Sequence, residues 1–192
     1  MSFTARYLDS ATNKNNWPEN DLPEILLVGR SNVGKSSLLN NIFHNKKLAY
    51  VGKTPGKTQM LNFFTSEALV FVDAPGYGFA NRSKEQLMVY QQLMEDYLQY
   101  RQQLRFIIWI LDIRRIPNAD DLLMLQWLQN SHHDFLIILN KADKLSNNEN
   151  LNQKTRIAKT LNVSVELLLL YSAKSSLGQE ILLEKLTELA YN

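Results

Sequence analysis

The chain has 192 residues, 45% of them hydrophobic and 21% charged, with 21 basic and 19 acidic side chains that leave a net charge of +2. That is the composition of one globular domain able to bury a core unaided, and it excludes a disordered or fibrous protein. There is no cysteine, which excludes a disulfide framework, a thiolate metal site and a cysteine nucleophile, while a charge so near zero neither demands nor excludes a nucleic-acid partner.

The chain opens Met1-Ser2-Phe3-Thr4-Ala5-Arg6, without an apolar run of signal-peptide length and with Ser2 where myristoylation needs glycine. The longest apolar runs, Phe106 to Leu111 and Leu167 to Tyr171, are strand-sized, so a cytoplasmic protein with no membrane partner is expected. Residues 1–22 read as an N-terminal extension packed on a domain of residues 23–192, with Asn13 to Asn16 a loop or helix start. The first strand is expected at Glu24 to Val28 and runs into Gly29-Arg30-Ser31-Asn32-Val33-Gly34-Lys35-Ser36. This matches the phosphate-loop pattern G-x-x-x-x-G-K-[ST] between a strand and a helix, Lys35 to Phe43. Glycines let the loop aim its N–H groups and the helix start at phosphates, Lys35 supplies a charge, and Ser36 offers a hydroxyl ligand for Mg²⁺.

The polar stretch Gly52 to Gln59 follows, either a solvated loop or a switch whose Thr58 reaches the metal when a triphosphate is present. Strands at Met60 to Thr65 and Leu69 to Asp73 flank Ser66 and Glu67 as a hairpin. The second of them ends in Asp73-Ala74-Pro75-Gly76: Asp73 is suited to hold Mg²⁺ through water and Gly76 to donate its N–H to a γ-phosphate. A helix is expected at Lys84 to Gln103, a strand at Arg105 to Leu111, a helix at Asn118 to Gln129 and a strand at Phe135 to Leu139. Asn140-Lys141-Ala142-Asp143 comes next; alone it could be a helix cap, but Asp143 can accept from guanine N1 and N2, a donor pair that adenine lacks, with Lys141 over the base and Asn140 bridging to other loops. A helix at Leu151 to Thr160, a strand at Glu166 to Tyr171, the loop Tyr171-Ser172-Ala173-Lys174 and a helix at Gly178 to Ala190 complete the chain, the Ala173 N–H suiting guanine O6. The pattern is α/β: a six-stranded, mostly parallel sheet with one antiparallel strand and helices on both faces, every motif at a strand end. His44, His132 and His133 have no triad or metal spacing, and Phe106, Trp109 and Trp127 are expected to pack.

Gly29 to Ser36, Pro55-Gly56-Lys57-Thr58-Gln59, Asp73-Ala74-Pro75-Gly76-Tyr77-Gly78 and Asn140 to Asp143 together resemble the EngB (YihA/YsxC) family of bacterial ribosome-biogenesis GTPases over nearly the whole chain. The resemblance implies a Ras-like P-loop GTPase domain, binding of GTP and GDP with Mg²⁺, slow GTP hydrolysis by a monomer, and a role in assembly of the large ribosomal subunit and in cell division. It implies that the nucleotide is held by Gly29 to Ser36 with Ser37, by Gly56 to Gln59, by Asp73 to Gly76, by Asn140 to Asp143 and by Tyr171, Ser172 and Ala173. Metal ligands would then be Ser36, Thr58 and Asp73, and the groups acting on the transferred phosphate Lys35, Thr58, Gly76 and Asn32. Tyr77 stands where many relatives of Ras carry a water-orienting glutamine; in related GTPases lacking it, an Asn at the place of Asn32 helps coordinate K⁺. Lys46, Lys47, Lys53 and Lys57, with Arg82, Lys84, Arg114 and Arg115, read either as a solvated rim or as an RNA-phosphate patch, which the resemblance favours. Two other readings stay open: a G domain serving another RNA-related or transport process, and a nucleotide-dependent adaptor with negligible turnover.

Overall fold

The computed structural model describes residues 4–45, 48, 59–78 and 83–191. Seven strands among them form one sheet: β1 (Arg6–Ala11), β2 (Glu24–Gly29), β3 (Leu61–Thr65), β4 (Val70–Asp73), β5 (Leu104–Asp112), β6 (Asp134–Asn140) and β7 (Leu168–Leu170), in the spatial order β1-β3-β4-β2-β5-β6-β7. β3 is antiparallel to both of its neighbours and the other pairs are parallel, so β3 alone runs against the rest. The count corrects the six expected strands: Arg6–Ala11 adds a seventh on the outer edge of β3. Only Ala11 of that strand is buried and the register slips between Tyr7 and Asp9, so it lacks the alternation that marks a half-buried strand.

Five helices lie among the described residues: α1 (Lys35–Ile42), α2 (Lys84–Tyr100), α3 (Ala119–Asn130), α4 (Asn147–Leu161) and α5 (Gln179–Tyr191). Alternate residues of the central strands feed two cores. Leu26 and Val28 of β2 and Ile107 and Trp109 of β5 pack with Tyr90, Met94, Met124, Leu128 and Ile157 from α2, α3 and α4. Ile25, Leu27, Ile108 and Ile110 face the other way, onto Leu38, Leu39 and Ile42 of α1 and Leu182 and Leu186 of α5. All six residues of β2 are buried, and losing one such leucine to alanine costs about 2–5 kcal/mol.

At the end of β2 remote from the motifs, the fully buried Glu24 accepts from Arg101, Tyr97 and Asn20, and Arg101 also donates to the Pro18 carbonyl at 2.8 Å. A buried carboxylate needs such partners, and these fasten the segment before β2 to the end of α2. Reciprocal capping boxes start α2 (Ser83 with Gln86), α3 (Asn118 with Asp121) and α4 (Ser146 with Glu149). Because β2, β4, β5, β6 and β7 pair in parallel, their carboxyl ends lie on one rim of the sheet, where open α/β folds bind ligands.

Candidate functional site

The phosphate loop leaves β2 and enters α1 under tight steric control. Gly34 has φ +110°, and a Cβ there would stand 2.2 Å from Asn140 Nδ2. That amide donates to the Val33 carbonyl at 2.9 Å, so Asn140 supports the loop directly. A Cβ on Gly29 would meet the Ile110 carbonyl at 2.7 Å. Asn32 is left-handed, φ 62°, a region that Asn tolerates better than most residues. Lys35 is buried and its Nζ donates to the Gly29 carbonyl at 3.3 Å, inside the curve of the loop.

The Asp73–Gly78 segment is laced to this loop. The Tyr77 N–H donates to the Gly29 carbonyl and the Ser31 N–H to the Tyr77 carbonyl, both at 3.2 Å. Gly76 lies so close to Ser31 that a Cβ would come within 2.8 Å of its backbone. Asp73 is buried at the end of β4, paired in register with Leu27 and Asn62. Ser36 and Asp73 are oxygen donors, and no group of three or more acidic, His or Cys side chains that could cage a metal occurs among the described residues. Such a sparse oxygen set fits Mg²⁺, which keeps waters and takes phosphate oxygens rather than an all-protein cage.

On the other side of the loop, Lys141 has φ 69° and its ammonium donates to the Asn32 carbonyl and to Asp112 Oδ2, each at 3.0 Å. Asp112 also receives Arg114 in a two-pronged contact. Burial pushes the Asp112 carboxyl up, but the bonds from Arg114 and Lys141 outweigh it and hold the group well below the usual carboxylate range. The Asp143 carboxylate accepts from the Ser172 hydroxyl at 2.8 Å, which keeps its pKa low, and Lys144 lies at 3.4 Å. The Ala142 N–H donates to the Tyr171 carbonyl, joining the two loops, while the Tyr171 hydroxyl turns to Asn41 of α1. A cavity of about 650 Å³ results, lined among others by Asn32, Gly34, Ser37, Asn140, Asp143 and Ala173.

The structure thus assembles the residues of 29–37, 73–76, 140–143 and 171–173 on one rim. Gly56, Lys57 and Thr58 lie outside the described residues, as do Lys46, Lys47, Lys53 and Arg82. Gln59 is turned to α2, where its amide donates to the Gln86 carbonyl at 2.8 Å. The Tyr77 ring is fully buried: its hydroxyl accepts from Trp109 Nε1 at 2.8 Å and donates to Asp121 Oδ1 at 2.7 Å. Burial and the neighbouring Asp121 drive its pKa up, keeping the phenol protonated. Asp112 and Asp121, which hold Lys141 and Tyr77, escaped the sequence reading. An acid closing a strand or sitting in a first helical turn is ordinary, and no spacing links either to its partner. His44, expected to be an uninvolved surface residue, lines the 650 Å³ cavity together with Asn40 and Asn41.

A family model described as 50S ribosome-binding GTPase matches residues 24–141. The chain is 41% identical over 187 residues to a probable GTP-binding protein EngB of Desulfatibacillum aliphaticivorans, covering 97% of this chain and 91% of that one. Against the probable EngB of Geotalea daltonii the identity is 44% over 186 residues, with 95% and 88% covered. A crystal structure of a probable GTP-binding protein EngB aligns with a TM-score of 0.71 at 24% identity, over 87% of this chain and 98% of that one, and shows the same fold.

Proposed function

The chain belongs to the EngB family of GTP-binding proteins and has the Ras-like P-loop GTPase fold, and from that premise we propose that it binds GTP and GDP with Mg²⁺ on this rim and hydrolyses GTP slowly. The observation that carries the reading is the single cavity shared by the phosphate loop (Asn32, Gly34, Ser37) and the Asp143 carboxylate, so that one ligand meets a phosphate cradle and a guanine-specific acceptor together. Lys35 and the amides of Gly29 to Ser36 hold the phosphates, and Asp143, Lys141 and the Ala173 N–H read the base. Ser36 and Asp73, with Thr58, would hold the Mg²⁺, which would offset the negative charge of the phosphates. Gly76 donates to the γ-phosphate. Asn32 is the residue that would help hold a K⁺ ion, which would supply further charge against the phosphates. With the Tyr77 ring buried against Trp109 and Asp121, its side chain does not orient an attacking water, which supports slow intrinsic turnover.

A cytoplasmic switch in assembly of the large ribosomal subunit, needed for normal cell division, is the cellular role proposed; the family model's description and the resemblance in its motifs support it. No helix among the described residues is long and apolar enough to cross a membrane. The decisive experiment on the nucleotide is Asp143→Asn. It exchanges an acceptor for an amide, so affinity should pass from GDP to xanthosine diphosphate, with a loss for GDP of at least about tenfold, or 1.4 kcal/mol. Retention of GDP affinity within about threefold would remove Asp143 from the base site.

A further inference from the structure

A buried carboxylate at the start of α3 reaches both loops of the phosphate side. Asp121 Oδ1 accepts from the Tyr77 hydroxyl at 2.7 Å. Its Oδ2 accepts from the Asn118 N–H at 3.0 Å and lies 3.5 Å from Arg30 Nη1, which itself donates to Asn118 Oδ1 at 2.8 Å. Asp121 is only 4% exposed. The capping box needs just one of its oxygens, the one facing Asn118; the other is spent on a phenol 44 residues away in the chain. That phenol belongs to the residue directly after Gly76, and Trp109 fixes it from the opposite side. Arg30 lies inside the phosphate loop, bridged through the backbone to Tyr77.

We propose that Asp121 and Tyr77 form a positioning bracket: anchored on α3, they set the distance between the Gly76 N–H and the amides of the phosphate loop, and so the fit of a terminal phosphate between them. The inference rests on the nucleotide reading above. Its anchoring is unequal in an informative way. Arg30 keeps Asn118 and Asp120 if Asp121 is lost, so the loop that meets the inner phosphates stays held. Gly76 is chained directly to Tyr77, whose ring Asp121 and Trp109 fix from two sides. With Gly76 assigned to the γ-phosphate, only a triphosphate would meet it, so loosening the bracket should penalise the triphosphate selectively.

The test compares Tyr77→Phe, Asp121→Ala and the double variant for affinity to GDP and to the β,γ-imido analogue of GTP, with single-turnover GTP hydrolysis and thermal unfolding measured alongside. Each single variant should weaken the imido analogue by at least about fivefold and leave GDP within about twofold. The double variant should lose less than the two single losses added together, because both break the Tyr77–Asp121 contact. Hydrolysis should slow by at least as much as analogue affinity falls. Equal weakening of both nucleotides in step with lost thermal stability would overturn the bracket and leave a purely structural contact; so would unchanged discrimination between them. If the wild-type chain bound no GDP, the nucleotide reading would fall and take this inference with it, whereas the other two outcomes leave that reading intact.

Discussion

Asn32 shows how a single residue can serve backbone geometry and chemistry at once. Its left-handed φ of 62° accounts for an Asn in the loop without any ligand, and its carbonyl is already engaged by Lys141. A K⁺ role is therefore best tested by Asn32→Gly, which keeps the left-handed backbone accessible and strips only the amide. Wild-type hydrolysis should run faster in KCl than in NaCl at equal ionic strength by about tenfold, the effect of roughly 1.4 kcal/mol of transition-state stabilisation. In Asn32→Gly that preference should vanish while GDP affinity holds. Equal wild-type rates in the two salts would dismiss the ion. The phosphate loop was legible in the sequence because its constraints fall on residue types: Gly34 carries a φ of +110° that side chains avoid, and Gly29 a contact that excludes a Cβ. Tyr77 was legible only as a departure; that its ring turns inward to Trp109 depends on a strand and a helix distant in the chain.

At the scale of elements, the β5–α3 connection holds the site from both sides. Asp112, closing β5, fixes Lys141 over the base side, and Asp121, opening α3, fixes Tyr77 on the phosphate side. Strands β2, β4, β5 and β6 were readable from continuous apolar runs, whereas β1 shows that an edge strand with one buried residue leaves no such trace. The Asp112 cluster makes a prediction about pH. Its carboxyl is depressed in the fold, so its contribution is present above the ordinary unfolded value of about 3.9 and fades as pH falls from there through the lower folded value. Asp112→Asn should thus destabilise the protein at neutral pH by about 1–2 kcal/mol, a modest figure because Arg114 and Lys141 are partly exposed and screened. Urea unfolding should show the two proteins converging below about pH 3–4. A constant gap across that range would mean that the carboxylate charge contributes nothing.

For the whole molecule, the division of labour lies between the two ends of one sheet. The end around Glu24 is closed by Arg101, Tyr97 and Asn20. The opposite rim carries the candidate nucleotide site; in the sequence between α1 and β3, Lys46, Lys47, Lys53 and Lys57 follow one another with no acidic residue between them. A net charge of only +2 gives no general attraction to nucleic acid, so affinity for ribosomal RNA would have to come from a local patch such as this. Binding to the large subunit, read by co-sedimentation, should then depend on nucleotide and fall with salt. Each phosphate contact contributes about 0.7–0.9 to the slope of log affinity against log salt, so neutralising the four lysines should flatten it by up to about 3.6 units. GDP affinity should survive the change, apart from any contact made by Lys57, which separates a lost RNA surface from a damaged nucleotide site. A lower affinity with the wild-type slope would point to misfolding or to a contact elsewhere. Equal binding with GTP, GDP and no nucleotide would show that the rim does not act as a switch toward the ribosome.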